Sequence, residues 1–100
     1  MALTRFGFIV TGAGLDPSRD RCVLESGAFR MVAIGVPTAA EGPAAARALL
    51  AEGVQLIELC GGFGPAGTAA VLSAIGGAVP VGSVGYGPES TDAMARLFAT

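Results

Sequence analysis

Four apolar stretches punctuate the chain, and each has the residue types of a β-strand. Residues 5–11 (RFGFIVT) are aromatic and β-branched. Residues 28–36 (AFRMVAIGV) are nearly continuous in apolar character, as strands buried on both faces of a parallel sheet are, and Pro37 ends them. Residues 54–60 (VQLIELC) and 79–86 (VPVGSVGY) read as the third and fourth strands. The pattern between them changes to a helical period. A helix begins between 38 and 43, where the Thr38/Glu41 capping box and Pro43 as a first helical residue compete. Its apolar stripe is Ala45, Ala46, Leu49 and Leu50, and Gly53 stops it. A second helix over 65–75 turns Thr68, Val71, Leu72 and Ile75 inward and ends at Gly76-Gly77. Ser90 caps a third, which packs Met94, Leu97 and Phe98 inward.

This order is one strand, a long connection over 12–27, and three strand–helix units. Successive strands lie about 25 residues apart, the spacing that right-handed βαβ crossovers need. It predicts a single α/β domain over residues 1–100: a four-stranded, mostly parallel sheet with three covering helices, in the open flavodoxin-like style. A half-barrel fragment of βα units is the alternative, since strands ending in Glu58 or Tyr86 also suit a barrel rim.

Composition adds an expectation about assembly. Hydrophobic residues make up 52% of the chain and charged ones 14%, too few to cover so small a surface, so a homo-oligomer is expected. The net charge is −2 from six arginines, no lysine and no histidine. No basic stripe exists to track phosphates, which argues against nucleic acid. Imidazole catalysis and lysine Schiff bases are excluded, so no cofactor and no metal site is expected. No apolar run spans a membrane, and the run after Arg5 is too short for a signal-peptide core. Cys22 and Cys60 form no disulfide framework, and a cytoplasmic protein with free thiols is the expectation.

If the strands are parallel, their C-terminal ends gather Thr11, Val36-Pro37-Thr38, Glu58 with Cys60, and Tyr86 at the edge where open α/β sheets bind ligands. Alternation places Glu58 and Cys60 on one strand face. A carboxylate in so apolar a run is either a desolvated proton carrier or an acceptor of loop N–H bonds that shapes the turn, and both readings stand. Cys60 precedes a helix N-terminus that lowers thiol pKa values, although a buried Cys is also a small hydrophobe. Tyr86 is placed to donate to a ligand oxygen, or to anchor the last turn at an interface.

The turn Gly61-Gly62-Phe63-Gly64-Pro65-Ala66-Gly67 between a strand and a helix suits an anion held on backbone N–H groups, and it also meets the plain need of a tight turn for glycine. It lacks the Lys-Ser/Thr of a nucleotide loop. Gly12-Ala13-Gly14 imitates a dinucleotide fingerprint, but turn chemistry rather than a helix follows it. The loop over 12–27 holds Asp16, Arg19, Asp20 and Arg21. It reads as a solvated loop with local ion pairs, or as a lid whose Arg21 grips an anion.

The run Ile57-Glu58-Leu59-Cys60-Gly61-Gly62-Phe63-Gly64-Pro65, with Val79-Pro80-Val81-Gly82 after it, resembles a family of small bacterial proteins of about this length whose function is unknown. The resemblance extends to Asp16-Pro17 and Arg21 and implies a single-domain α/β protein, but no activity. The residues themselves lead to a cytoplasmic homo-oligomer that binds a small anionic molecule, a carboxylate or phosphate. Thr11, Gly61, Gly62, Phe63, Gly64 and Gly67 would line the anion site and Arg21 would clamp it. Glu58, with Cys60 or Tyr86 assisting, would carry out cofactor-free isomerase, lyase or cyclase chemistry. A binding module without turnover and a purely structural oligomerisation domain are the alternatives.

Overall fold

The computed structural model describes residues 2–99. Five strands form one mixed sheet: β1 (Arg5–Thr11), β2 (Arg21–Glu25), β3 (Arg30–Val36), β4 (Leu56–Leu59) and β5 (Val81–Ser83). Three helices accompany them: α1 (Gly42–Ala51), α2 (Gly64–Ala74) and α3 (Thr91–Leu97). The strand order is β2-β3-β1-β4-β5. All neighbouring pairs are parallel except β2–β3. Taken alone, the parallel strands keep the flavodoxin-like order, with the first flanked by the second and third. β1 lies inside the sheet between β3 and β4 rather than at an edge, as the sequential strand order of a barrel fragment would require, so the half-barrel alternative does not hold.

The fifth strand corrects the expectation of four. Residues 21–25 form an antiparallel edge strand with Val23 opposite Val32 and Leu24 opposite Met31, inside the segment read as a loop. The hairpin closes through the Ser26 N–H, which donates to the Phe29 carbonyl at 2.8 Å. The remaining loop, 12–20, is tied to itself. Asp16 accepts from the Ser18 N–H and hydroxyl, and Arg19 pairs with Asp20 at 2.8 Å. Strand 28–36 begins at Arg30, and strand 79–86 contracts to three residues.

α1 follows a 3₁₀ turn at Ala39–Glu41 and has Pro43 in its first turn, so both start signals are used in succession. The Thr38 hydroxyl donates to the Glu41 carboxylate at 2.6 Å in place of a backbone cap. Gly53 closes the helix with φ +83°.

The core lies between one sheet face and α1 with α2. Ile9, Val36, Ile57, Leu59, Ala46, Leu49 and Val71 are completely or almost completely buried there. Each fully buried Leu, Ile or Val contributes about 1.5–3 kcal/mol of transfer free energy. Small residues let the layers approach, since a Cβ on Gly42 would strike the Phe63 ring. The strand residues that alternate with this set point to the other face, which no helix among the described residues covers. α3 departs most from expectation: it buries no residue, and Leu97 and Phe98 are 69% and 71% exposed.

Candidate functional site

β1 and β4 lie side by side and parallel, but the chain leaves β1 for β3 on one side and later returns to β4 on the other. Such a reversal opens a crevice at the carboxyl ends of the two strands. A cavity of about 690 Å³ occupies that place here. Its floor is Thr11 at the end of β1 with Cys60, Gly61 and Gly62 after β4. One wall is Gly64-Pro65 at the start of α2, and the other is Ser83–Tyr86 with Met94 and Phe98.

The backbone explains why Cys60 faces this crevice. Its N–H donates to the Ile9 carbonyl at 3.1 Å, so it is the last residue held along β1. The chain then tightens into a 3₁₀ turn at Gly61–Phe63, with the Phe63 N–H donating to the Cys60 carbonyl at 3.1 Å. Strand alternation ends there, and the thiol turns toward Thr11. The Thr11 N–H donates to Cys60 Sγ at 3.3 Å. Thr11 Oγ1 lies 3.2 Å from the same sulfur, in a hydrogen bond that either group can donate.

Burial pushes the Cys60 thiol up, but hydrogen bonds from the Thr11 hydroxyl, the Thr11 N–H and the Gly62 N–H outweigh it. The thiol is held below its ordinary value. Glycine is favoured at 62 because a Cβ there would collide with Thr11 Oγ1 unless Thr11 moved. Gly64 has φ +61° and ψ −178°, a conformation open essentially to glycine alone, and it turns the chain into α2. The 84–86 segment closes over Gly61, where an added Cβ would lie 3.3 Å from the Val84 carbonyl oxygen.

Of the residues singled out from the sequence, Thr11, Cys60, Gly61, Gly62, Gly64 and Tyr86 line one cavity. Tyr86 is 63% exposed at its mouth. The others lie elsewhere. Glu58 is exposed on the uncovered face of the sheet, so the desolvated carboxylate expected beside Cys60 is not found. Phe63 is buried in the core against Gly42 and Gly67, and Gly67 serves that packing rather than a ligand. Arg21 does not reach the crevice either. Its guanidinium makes two hydrogen bonds with Glu52, at 2.8 and 2.7 Å, and Arg30 adds a longer contact at 3.7 Å. The Arg21 hydrogen bonds hold the Glu52 carboxyl below its ordinary value although partial burial opposes them. Arg21 therefore staples β2 to the end of α1.

Val10, Pro65, Ser83, Val84, Met94 and Phe98 also line the cavity and were not read as site residues. The signal available for the last two was a helix whose apolar positions had no sheet left to cover. Among the described residues, no three His, Cys, Asp or Glu side chains gather in a way that could hold a metal ion, and no helix is long and apolar enough to cross a membrane.

Residues 4–99 match the model of a family of unknown function, DUF6506. The chain belongs to that family. No curated protein and no solved structure matches it.

Proposed function

We propose that the chain binds a small anionic organic molecule in the crevice between β1 and β4, and that Cys60 moves a proton on it. The observation that carries this reading is the pair of Thr11 hydrogen bonds to Cys60 Sγ on the floor of a ligand-sized cavity. Lowering a thiol's pKa brings its thiolate form closer to use as a base near neutrality. The N–H groups of Phe63 and Gly64 are spent on the Cys60 and Gly61 carbonyls, so the start of α2 supplies the positive end that a carboxylate or phosphate needs, without a basic side chain. The wall of Val84, Met94 and Phe98 accommodates an apolar body on the same molecule.

The chemistry that fits is proton abstraction beside a carboxyl or carbonyl group. The C–H bond breaks, its proton passes to the Cys60 sulfur, and the electron pair moves onto the oxygen held by backbone N–H groups. Return of the proton to the same or a neighbouring carbon makes the reaction an isomerisation, and expulsion of a leaving group makes it a lyase reaction. The acid–base role first read onto Glu58 thus passes to Cys60, and Arg21 takes no part. The run Leu59-Cys60-Gly61-Gly62-Phe63-Gly64-Pro65 is then the functional segment of this chain. Free thiols at Cys22 and Cys60 suit a cytoplasmic setting.

A binding module without turnover is the second reading. What favours it is the polar inventory of the crevice: among the described residues, Cys60 and Tyr86 are the only titratable side chains that line it.

A thermal-shift screen of small carboxylates and phosphates tests binding. A ligand at about 100 times its Kd adds about 2.7 kcal/mol, or roughly 10–20 °C in Tm for a domain of this size. The hit is then incubated in D₂O with protein and followed by NMR. Wild type and Glu58→Gln should exchange a ligand C–H for deuterium, and Cys60→Ala should not. Exchange that survives in Cys60→Ala but stops in Glu58→Gln refutes the assignment. Binding without exchange in any form leaves the module.

A further inference from the structure

We infer that the free edge of β2 joins two copies of this chain, paired as antiparallel strands about a two-fold axis at Val23. The inference is independent of the crevice reading, because β3 separates β2 from the strands that form the crevice. The hairpin shows which groups the edge presents. The Ser26 N–H donates to the Phe29 carbonyl and the Gly35 N–H to the Asp20 carbonyl, both at 2.8 Å. Residues 20 and 26 therefore turn their main-chain groups toward β3, and by the alternation of an antiparallel ladder Cys22 and Leu24 do too. Arg21, Val23 and Glu25 turn theirs outward, where among the described residues no strand meets them. All five residues of β2 are exposed. Such an edge templates another strand unless proline, lysine, a bulge or a cover blunts it. β2 has no proline or lysine, and it pairs with β3 without a bulge from Arg21 to Glu25.

The occupant that fits is a second copy, because the strand is complementary to itself. With Val23 opposite the partner's Val23, Arg21 meets the partner's Glu25 and Glu25 meets the partner's Arg21. Each is a hydrogen-bonded pair that exchanges N–H···O bonds both ways, so every outward main-chain group of β2 finds a partner. Opposite charges set directly across an antiparallel pair stabilise it, and a register slip in either direction loses both of these charge pairs.

The charges within each copy are arranged to receive this pairing. Arg21 and Glu25 share the helix side of β2, opposite Ile34 and Arg30. Glu52 holds Arg21, and Arg30 contacts both Glu25 and Glu52. Across the axis, contact between Arg21 and the partner's Glu25 joins these pairs into a closed circuit of alternating sign, so no charge is buried alone. The Arg21 bonds to Glu52 use two of its five N–H donors, and the Glu25 side chain is 57% exposed, so both have capacity for the added contact. On the other side of the strand Cys22 faces the partner's Leu24, and neither brings a charge.

Sedimentation velocity should find wild type dimeric. Val23→Pro removes the outward N–H at the axis while leaving the β2–β3 ladder intact, and should raise the dissociation constant by about tenfold or more with unchanged far-UV circular dichroism. Glu25→Arg and Arg21→Glu set like charges opposite each other, so each should dissociate alone and the two should pair when mixed. Oxidative cross-linking tests the register. Cys22 stands diagonal to the partner's Cys22, about 7–8 Å away and beyond easy disulfide reach. Leu24→Cys puts a thiol directly opposite the partner's Cys22, at a Cα separation of about 4.5 Å, and should give a covalent dimer on a non-reducing gel where wild type gives little. A monomeric wild type overturns the inference, and one that binds extended peptides gives the edge to a different protein. A dimer indifferent to Val23→Pro, charge variants that do not pair on mixing, or cross-linking of Leu24→Cys no better than wild type overturns it too. Should Val23→Pro unfold, the mixing and cross-linking results decide.

Discussion

Gly62→Ala is the substitution whose outcome follows most directly from the crevice geometry. Gly62 has no positive φ, so alanine suits its backbone, and in a 3₁₀ turn it would even be favoured over glycine by about 0.5–1 kcal/mol. Contact opposes this. The new Cβ would overlap Thr11 Oγ1 and lie 3.5 Å from Cys60 Sγ. Relief requires Thr11 to leave its rotamer, costing about 0.5–1.5 kcal/mol, and to give up its bond to the sulfur, costing a further 0.5–1.5 kcal/mol. Repulsion therefore wins, with a net loss of about 0.5–2 kcal/mol and a fall in Tm of several degrees. In a Thr11→Ala background the obstructing oxygen is gone, and Gly62→Ala should be neutral or slightly stabilising. Urea unfolding of the four proteins measures this coupling as a double-mutant cycle, expected at about 1 kcal/mol or more. The same loss in both backgrounds would refute the contact between Thr11 and Gly62 as the reason for glycine.

Two further outcomes follow from other parts of the chain. The Glu52 carboxyl is held down by Arg21, so its stabilising contribution is complete above its unfolded pKa and fades as pH falls through the lower folded value. Arg21 is 40% exposed, so Arg21→Ala should cost only about 0.5–1 kcal/mol at neutral pH and less in acid, leaving ligand binding intact; urea unfolding against pH checks the first part and titration of the thermal-shift hit the second. Leu49→Ala, at a completely buried position between α1 and the sheet, should cost about 2–5 kcal/mol by calorimetry, whereas a loss below 1 kcal/mol would show that α1 is not seated there.

The parts of this fold that are legible in the sequence are those that bury one face. The apolar runs of β1 and β3 and the stripe Ala45, Ala46, Leu49 meet their partners as expected, because hydrophobic periodicity reports burial. β2 is hidden for the same reason. It is an edge strand with all five residues exposed, flanked by Asp16, Arg19 and Asp20, so nothing in its pattern separates it from a charged loop. In α3 the spacing of Met94, Leu97 and Phe98 predicts inward packing that the structure does not show, because spacing marks an apolar side but not whether another element reaches it.

The site is legible as a place and less so as a set of roles. Topology brings Thr11, Cys60 and Tyr86 to one edge, as the parallel order requires. Glu58 is misplaced because alternation was carried one residue too far. The strand ends at Leu59, so Cys60 turns into the crevice while Glu58 stays on the outer face. Phe63 sits in a glycine-rich turn, yet it is a core anchor that Gly42 admits. The Arg21–Glu52 pair joins residues 31 apart, through a strand the pattern does not reveal.

The most direct test of the account is the pH dependence of Cys60 alkylation, followed by peptide mass spectrometry in the folded protein and again in urea. The account predicts that Cys60 in the folded protein becomes reactive at lower pH than the same residue in the unfolded chain, and that Thr11→Val moves the folded profile upward. A folded profile that coincides with the unfolded one or lies above it, or that Thr11→Val leaves in place, would contradict the claim that the crevice lowers the thiol pKa of Cys60 through Thr11.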